Sequence, residues 1–260
     1  MHAEPRFHVA AGRYQGRTAV ITGGANGLGY ASASRLGAEG AALVLIDLEA
    51  GAVEAAAQRL REAGHEAVGR AVDVTDAAAV RDALAEVAVD GSIDVLVTCA
   101  GVYPWIEFEA MTIERWREIV DVNLGGTFTC THAAMAQMKK QGYGRIVTVS
   151  SETVLLGMPG QSAYIAGKAG VIGLTRVLAR EGGPAGITAN CVLPGLIATE
   201  RVLTMSDEVD RFFESVVAQQ CIERRGEPED IADAIAYFGS EGAGFVTGQS
   251  LAVGGGDRFL

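Results

Sequence analysis

The chain has 260 residues, of which 49% are hydrophobic and 20% charged, with a formal net charge of −11. This is an ordinary soluble globular composition, long enough for one large α/β domain. The acidic balance excludes nucleic acid as a partner, since phosphate binding needs a basic patch, and no uncharged apolar run approaches the ~20 residues of a membrane span.

In chain order, residues 1–15 read as a polar tail without the apolar core of a signal peptide, so a cytoplasmic protein is expected. A strand over Thr18–Thr22 runs into the loop Thr22-Gly23-Gly24-Ala25-Asn26-Gly27-Leu28-Gly29, and a helix follows over Leu28–Glu39. The next strand, Ala42–Ile46, ends on Asp47 before a helix over Ala50–Ala63. Strand Glu66–Val72, helix Ala77–Val89 (capped by Asp76), strand Val95–Thr98 and helix Ile113–Lys140 (capped by Thr112) continue the pattern. Strand Arg145–Val149, helix Ser162–Arg180, strand Thr188–Val192, helix Glu229–Phe238 (opened by Pro228) and strand Ser250–Val253 complete it.

Strands such as Ala19-Val20-Ile21 and Leu43-Val44-Leu45-Ile46 are apolar throughout rather than alternating. Burial on both faces follows, as in a parallel sheet covered by helices. The expectation is a single α/β domain over residues 16–260, a doubly wound, Rossmann-type three-layer sandwich around a seven-stranded parallel sheet. The segment 198–226 breaks the alternation, with a helical patch near Asp207–Gln220. Lying after the sixth strand, it falls where ligands bind such sheets and is a candidate substrate lid, an ordinary surface excursion being the alternative.

Cys99, Cys130, Cys191 and Cys221 show no CxxC spacing, and most sit in apolar stretches, which suits buried free thiols. His2, His8, His65 and His132 form no i, i+4 pair, so no metal site is expected.

In the glycine loop, missing Cβ atoms let the backbone turn tightly and approach a ligand, and the following helix N-terminus suits a pyrophosphate. Its place between strand and helix strengthens the reading, as does the acid that ends the next strand. Asp47 can accept hydrogen bonds from the adenosine ribose hydroxyls and would repel a 2′-phosphate. No arginine or lysine stands in the loop or just after Asp47, so NAD is expected over NADP.

Tyr164 and Lys168 stand four residues apart on one helix face. A free phenol has a pKa of about 10, and a neighbouring cation favours the phenolate, making proton exchange with an alcohol feasible. Lys168 is one of three lysines, and the other two, Lys139 and Lys140, sit at the polar end of another helix. By itself, however, such a pair is common and usually structural.

From Gly16 onwards the chain resembles a compact short-chain dehydrogenase/reductase. The family's TGxxxGxG loop matches Thr22 to Gly29, its YxxxK matches Tyr164 and Lys168, and its serine 13 residues before the tyrosine matches Ser151. Its helix asparagine matches Asn123, and its Pro-Gly motif matches Pro194-Gly195. The resemblance implies a nicotinamide cofactor held by Gly23, Asn26, Gly27, Leu28, Gly29, Asp47 and Leu48. Asp73 and Val74 would lie at the adenine, with Cys99, Ala100, Gly101, Asn123, Tyr164, Lys168, Pro194, Gly195, Ile197 and Thr199 completing the site. It also implies roles: Tyr164 as general base or acid, Lys168 on the nicotinamide ribose and lowering the tyrosine pKa, Ser151 on the substrate oxygen, and Asn123 holding a relay water. A homotetramer, packed through the helices Ile113–Lys140 and Ser162–Arg180, is implied as well.

Three positions depart from that pattern: Cys99 replaces an asparagine, Gly167 a serine, and Gly254 the aspartate of a Val-Asp-Gly-Gly motif. Gly167 is expected to loosen the fit around the ribose. The substrate is expected beside Ser151 and Tyr164, walled by Tyr103, Pro104, Trp105, Leu155, Leu196, Val202, Leu203, Met205, Phe212 and Phe213. Those residues suit an apolar or ring-containing substrate, and the similarity of Gly101-Val102-Tyr103-Pro104-Trp105 to relatives that oxidise aryl or cyclic secondary alcohols implies such an alcohol or its ketone. Glu152, next to the serine, is either a reader of a substrate hydroxyl or amine, or a solvated loop acid. The rival readings are an NADPH-dependent carbonyl or 3-oxoacyl carrier-protein reductase, and a cofactor-binding sensor without turnover. An enoyl reductase is disfavoured by the close tyrosine–lysine spacing.

Overall fold

A computed structural model describes residues 12–204 and 208–259, without the side chains of residues 89 and 90. Seven strands form one sheet, all neighbours parallel, in the order β3-β2-β1-β4-β5-β6-β7. They are β1 (Thr18–Thr22), β2 (Ala42–Asp47), β3 (Ala67–Ala71), β4 (Val95–Thr98), β5 (Gly144–Val149), β6 (Ile187–Pro194) and β7 (Ser250–Val253). The helices are α1 (Gly27–Ala38), α2 (Ala50–Glu62), α3 (Ala77–Asp90), α4 (Ile113–Val120), α5 (Gly126–Gln141), α6 (Thr153–Leu156), α7 (Ser162–Gly182), α8 (Glu200–Leu203), α9 (Val209–Val217) and α10 (Pro228–Phe238).

Side chains alternate across a strand, and here both faces are apolar. Ala19 and Ile21 of β1 join Leu36 of α1, Leu60 of α2 and Ile235 of α10 in one core. Val20 joins Val80 of α3, Met138 of α5 and Leu178 of α7 in the other. This is the three-layer sandwich expected from the apolar strands. The order turns back between β1 and β4, which opens a crevice at the carboxyl ends of these strands.

The structure departs from the sequence reading in two places. The helix expected over Ile113–Lys140 is divided by a π-helical turn at Asp121–Gly125. Close packing accompanies it: a Cβ at Gly126 would stand 2.5 Å from Val74 Cγ2. Such turns are frequent at functional positions, and this one carries Asn123. The polar tail also ends earlier than residue 15. Tyr14 is fully buried and donates to the Ala236 carbonyl, while Arg13 pairs with the buried Glu39. His2, His8 and Met205 lie outside the described residues.

Candidate active site

The glycine loop links β1 to α1 and lies against the end of β4. Gly23 has φ +64, and a Cβ there would stand 2.8 Å from the Ala100 nitrogen; one at Gly29 would run into the Gly23 carbonyl oxygen. Glycine is therefore demanded at both positions by close backbone approach. The residue before α1, Asn26, makes no side-chain cap, so the first-turn amides keep their donors. Asp47, ending β2, accepts from the Ala25 nitrogen at 3.1 Å and from the Leu48 nitrogen at 2.8 Å. This open cradle with exposed donors fits a dinucleotide pyrophosphate.

A cleft of about 920 Å³ opens at the carboxyl ends of the strands. It is lined by Gly23, Asn26, Gly27, Leu28, Gly29, Asp47, Leu48, Asp73 and Val74, and by Cys99, Ala100, Gly101 and Asn123. Ser151, Tyr164, Lys168, Pro194, Gly195, Leu196, Ile197 and Thr199 line it too, with Tyr103. The tertiary structure thus brings every residue expected at the cofactor to one cleft.

At the end of the cleft that carries Ser151 and Tyr164, β5 and α7 are laced together. Lys168 Nζ donates to the Val149 carbonyl at 2.9 Å, and Ser150 Oγ donates to the Lys168 carbonyl at 2.7 Å. Burial pushes the Lys168 ammonium down to about 8, partly offset by Cys99 and Cys191. Cys99 itself is pushed up to about 12 by burial, so it is a neutral thiol. Ser151 Oγ accepts two hydrogen bonds from Thr153, from the backbone nitrogen at 3.2 Å and from the hydroxyl at 2.9 Å.

Tyr164 packs edge-on against Tyr103, with ring centres 6.1 Å apart. Burial raises its pKa, the Ser151 hydroxyl opposes the rise, and Tyr103 adds to it. Burial is thus the larger influence on the phenol in the free protein. The Lys168 ammonium stands 5.9 Å from the Tyr164 ring centre and uses one of its three donors on the Val149 carbonyl.

Asn123 Nδ2 donates to the carbonyls of Val102 at 2.8 Å and Ile119 at 2.9 Å. Its Oδ1 is buried with no hydrogen-bond partner among the described residues. A Cβ on Gly101 would stand 2.7 Å from that oxygen and 3.4 Å from Lys168 Nζ, so this glycine lets the two groups converge.

The structure corrects three expectations about the substrate side. Glu152 is 2% exposed and lies beneath Gly195 and Gly254, outside the cleft, so it neither meets a substrate nor stands in solvent. Trp105 is half exposed and packs over Gly160, also outside the cleft, because the chain turns outward after Tyr103. Phe213 is fully buried beneath the Arg225 guanidinium, a core residue rather than a cleft wall. Leu196 and Val202 do line the cleft. A Cβ on Gly167 would stand 3.1 Å from Asn123 Cβ, at the α4–α5 junction.

Three further residues escaped the sequence reading. Thr153 stands two positions after Ser151, a visible but ambiguous signal. Arg201 lies with its guanidinium 4.6 Å over the Tyr103 ring. Arg59 reaches back from α2 to the Ala25 carbonyl at 3.3 Å and stacks 4.2 Å over Tyr30. A cation therefore stands beside the glycine loop although none is adjacent in sequence. Among the described residues no cluster of potential metal ligands occurs, and no helix is long and apolar enough to cross a membrane.

A family model described as enoyl-(acyl carrier protein) reductase matches residues 23–257. The (2S)-[(R)-hydroxy(phenyl)methyl]succinyl-CoA dehydrogenase subunit BbsD of Thauera aromatica is 40% identical, covering 93% of this chain and 96% of its own. The cis-4-hydroxycyclohexanecarboxylate dehydrogenase of Sinomonas cyclohexanicum is 39% identical, covering 92% and 96%. Among solved structures, levodione reductase superposes with a TM-score of 0.87 at 31% identity, covering 93% of this chain and 97% of that one.

Proposed function

The chain belongs to the short-chain dehydrogenase/reductase family, and on that premise we propose that it interconverts a secondary alcohol and its ketone with NAD(H). The family's reaction, oxidoreduction at hydroxyl and ketone groups with a nicotinamide cofactor, is the part the similarity itself establishes. One observation carries the finer reading. Thr153 occupies Ser151 Oγ with two donors, so the serine proton is turned away from Thr153 and offered to a substrate oxygen beside Tyr164.

A nicotinamide held by the residues of this cleft would supply the hydride chemistry at the alcohol carbon. The remaining work falls to this chain. Ser151 donates to the substrate oxygen and stabilises the charge that develops there. Tyr164 Oη takes the alcohol proton in oxidation and gives it back in reduction. Lys168 Nζ, anchored on Val149, would hold the cofactor ribose, and the unpartnered Asn123 Oδ1 near it supports the proton relay expected at that position.

Asp47 supports NAD, its carboxylate held rigid at the ribose end by Ala25 and Leu48. Tyr103, Leu196 and Val202 support an apolar, ring-containing substrate. The names of the relatives, with a phenyl-bearing carbinol and a hydroxycyclohexane, agree with that. Arg59 beside the glycine loop favours the second reading, an NADPH-dependent carbonyl or 3-oxoacyl reductase.

Screening aryl and cyclic secondary alcohols with NAD and NADP in parallel, by nicotinamide absorbance, tests the proposal. Turnover of such alcohols with NAD is expected. Binding of NAD without any turnover would replace it with the sensor reading.

We place the subunit contacts of a homotetramer on the α4, α5 and α7 face. An apolar groove of about 840 Å³ runs there, bordered by the exposed rings of Trp116 and Phe128. Light scattering of the purified protein reads the assembly directly.

A further inference from the structure

Glu152 is the one acid buried at the catalytic end of β5. Both its carboxyl oxygens are buried and have no hydrogen-bond partner among the described residues. Its backbone is fixed: the nitrogen donates to the Pro194 carbonyl at 2.9 Å, and its carbonyl accepts from the Leu155 nitrogen at 2.9 Å. The carboxyl group fills the space beside two glycines. A Cβ on Gly254 would stand 2.5 Å from Oε1 and closer still to Oε2, and one on Gly195 would stand 2.7 Å from Oε2.

Neither glycine has a positive φ, in contrast to Gly255 and Gly256 just beyond. Backbone conformation therefore does not require glycine at 254, and the Glu152 carboxyl does. The missing aspartate at this position has a physical cause, since the acid arrives from the other side.

We infer that Glu152 is a positioning residue paired with Gly254, its carboxyl group wedging the Ser151 segment, the Pro194-Gly195 turn and the chain after β7 into one arrangement. Ser151 is its chain neighbour, and Pro194 and Gly195 line the cleft. Glu152 thus acts on the site through the segments it holds apart, without touching a ligand. The charged groups acting on it, Asp257 and Arg258, both come from the chain after β7, and they are bonded to each other at 2.7 Å. Burial first, then Asp257, pushes the carboxyl up to about 7, with Arg258 opposing. The wedge is accordingly neutral below that pH and becomes a buried charge above it.

The kinetic part of this inference rests on the proposed NAD-dependent activity, but the pairing does not. Four full-length proteins decide it: wild type, Glu152→Ser, Gly254→Asp and the double variant. Each is measured by thermal midpoint, by NAD affinity from protein fluorescence, and by kcat/KM on an alcohol that the wild type turns over. Gly254→Asp forces a side chain onto the Glu152 carboxyl and is expected to weaken NAD binding by about tenfold or to unfold the protein, whereas the double variant recovers most of the loss, the coupling expected of touching residues. If the double variant is as impaired as the two single losses combined, or if Gly254→Asp is harmless, the pairing is wrong. If wild type fails to bind NAD, the functional reading falls while the thermal midpoints still judge the pair.

Glu152→Gln supplies a readout that simple packing would leave unmoved. It keeps the wedge without its titration, so a change in NAD affinity between pH 6 and 8 in wild type should flatten in the variant. These pH values bracket the Glu152 value of about 7. An identical pH dependence in both proteins would overturn the role assigned to the carboxyl.

Discussion

Thr153 donates twice to Ser151 Oγ, through its backbone nitrogen at 3.2 Å and its hydroxyl at 2.9 Å. With both acceptor positions engaged, the serine is oriented as a donor toward the cleft. Thr153→Val removes the hydroxyl and keeps the backbone bond and the shape. A net hydrogen bond is worth about 1 kcal/mol, so kcat should fall about fivefold. NAD affinity should hold, since among the described residues the Thr153 hydroxyl bonds only Ser151. Steady-state kinetics together with NAD titration check both parts.

Lys168 makes the free protein's stability depend on alkaline pH. Its folded value, about 8, lies below the ordinary lysine value of 10.5 because burial disfavours the ammonium. A lysine depressed on folding costs stability wherever it must be charged, and the cost is released as pH rises from the folded toward the unfolded value. Unfolding free energies measured between pH 8 and 10 should therefore rise for wild type relative to Lys168→Met, by on the order of 1–3 kcal/mol over that window, with the thermal midpoint rising in step. Parallel curves for the two proteins would contradict the burial penalty.

Asp47→Ser should widen cofactor choice. The substitution removes the carboxylate that would repel a 2′-phosphate, while Arg59, 3.3 Å from the Ala25 carbonyl, remains to attract one. The ratio of NADP to NAD in kcat/KM is expected to rise by about tenfold or more, the effect of roughly 1.4 kcal/mol. Parallel titrations with both cofactors measure it.

Gly29→Ala should abolish NAD binding. Its new Cβ would run into the Gly23 carbonyl oxygen within the loop, where backbone rather than a pliant side chain is the obstacle. Calorimetric titration with NAD should show no heat of binding, while circular dichroism still reports the helices, since the damage is local to one turn.

Much of the fold was legible because it is written in local pattern. Ala19-Val20-Ile21 announces a strand buried on both faces, and the structure places its neighbours in the two cores. Asp76 and Thr112 both cap the helices assigned to them, accepting from backbone nitrogens within three residues. Gly23 and Asp47 were readable in the same way, at strand ends, whereas Ser151 and the roles of Tyr164 and Lys168 were legible only through the family resemblance. Their convergence in one cleft needed only the parallel order of the strands.

What the residues could not announce is where a side chain turns once distant segments meet. Glu152 and Trp105 stand beside site residues in the chain, yet one is driven beneath Gly254, about a hundred positions away in sequence, and the other over Gly160. Arg59 looks remote from the glycine loop until α2 folds back onto it. Asn123 reads as part of a continuous helix, and only packing against Val74, Val102 and the α7 helix reveals the π turn that presents it. The sequence by itself determined the strands and the glycine loop, because periodicity and short spacing encode near neighbours, while the proton-handling roles of Ser151, Tyr164 and Lys168 came from the family resemblance. Side-chain direction, burial and the pairing of Glu152 with Gly254 were decided by the tertiary structure, because each depends on contacts between segments that only the folded sheet brings together.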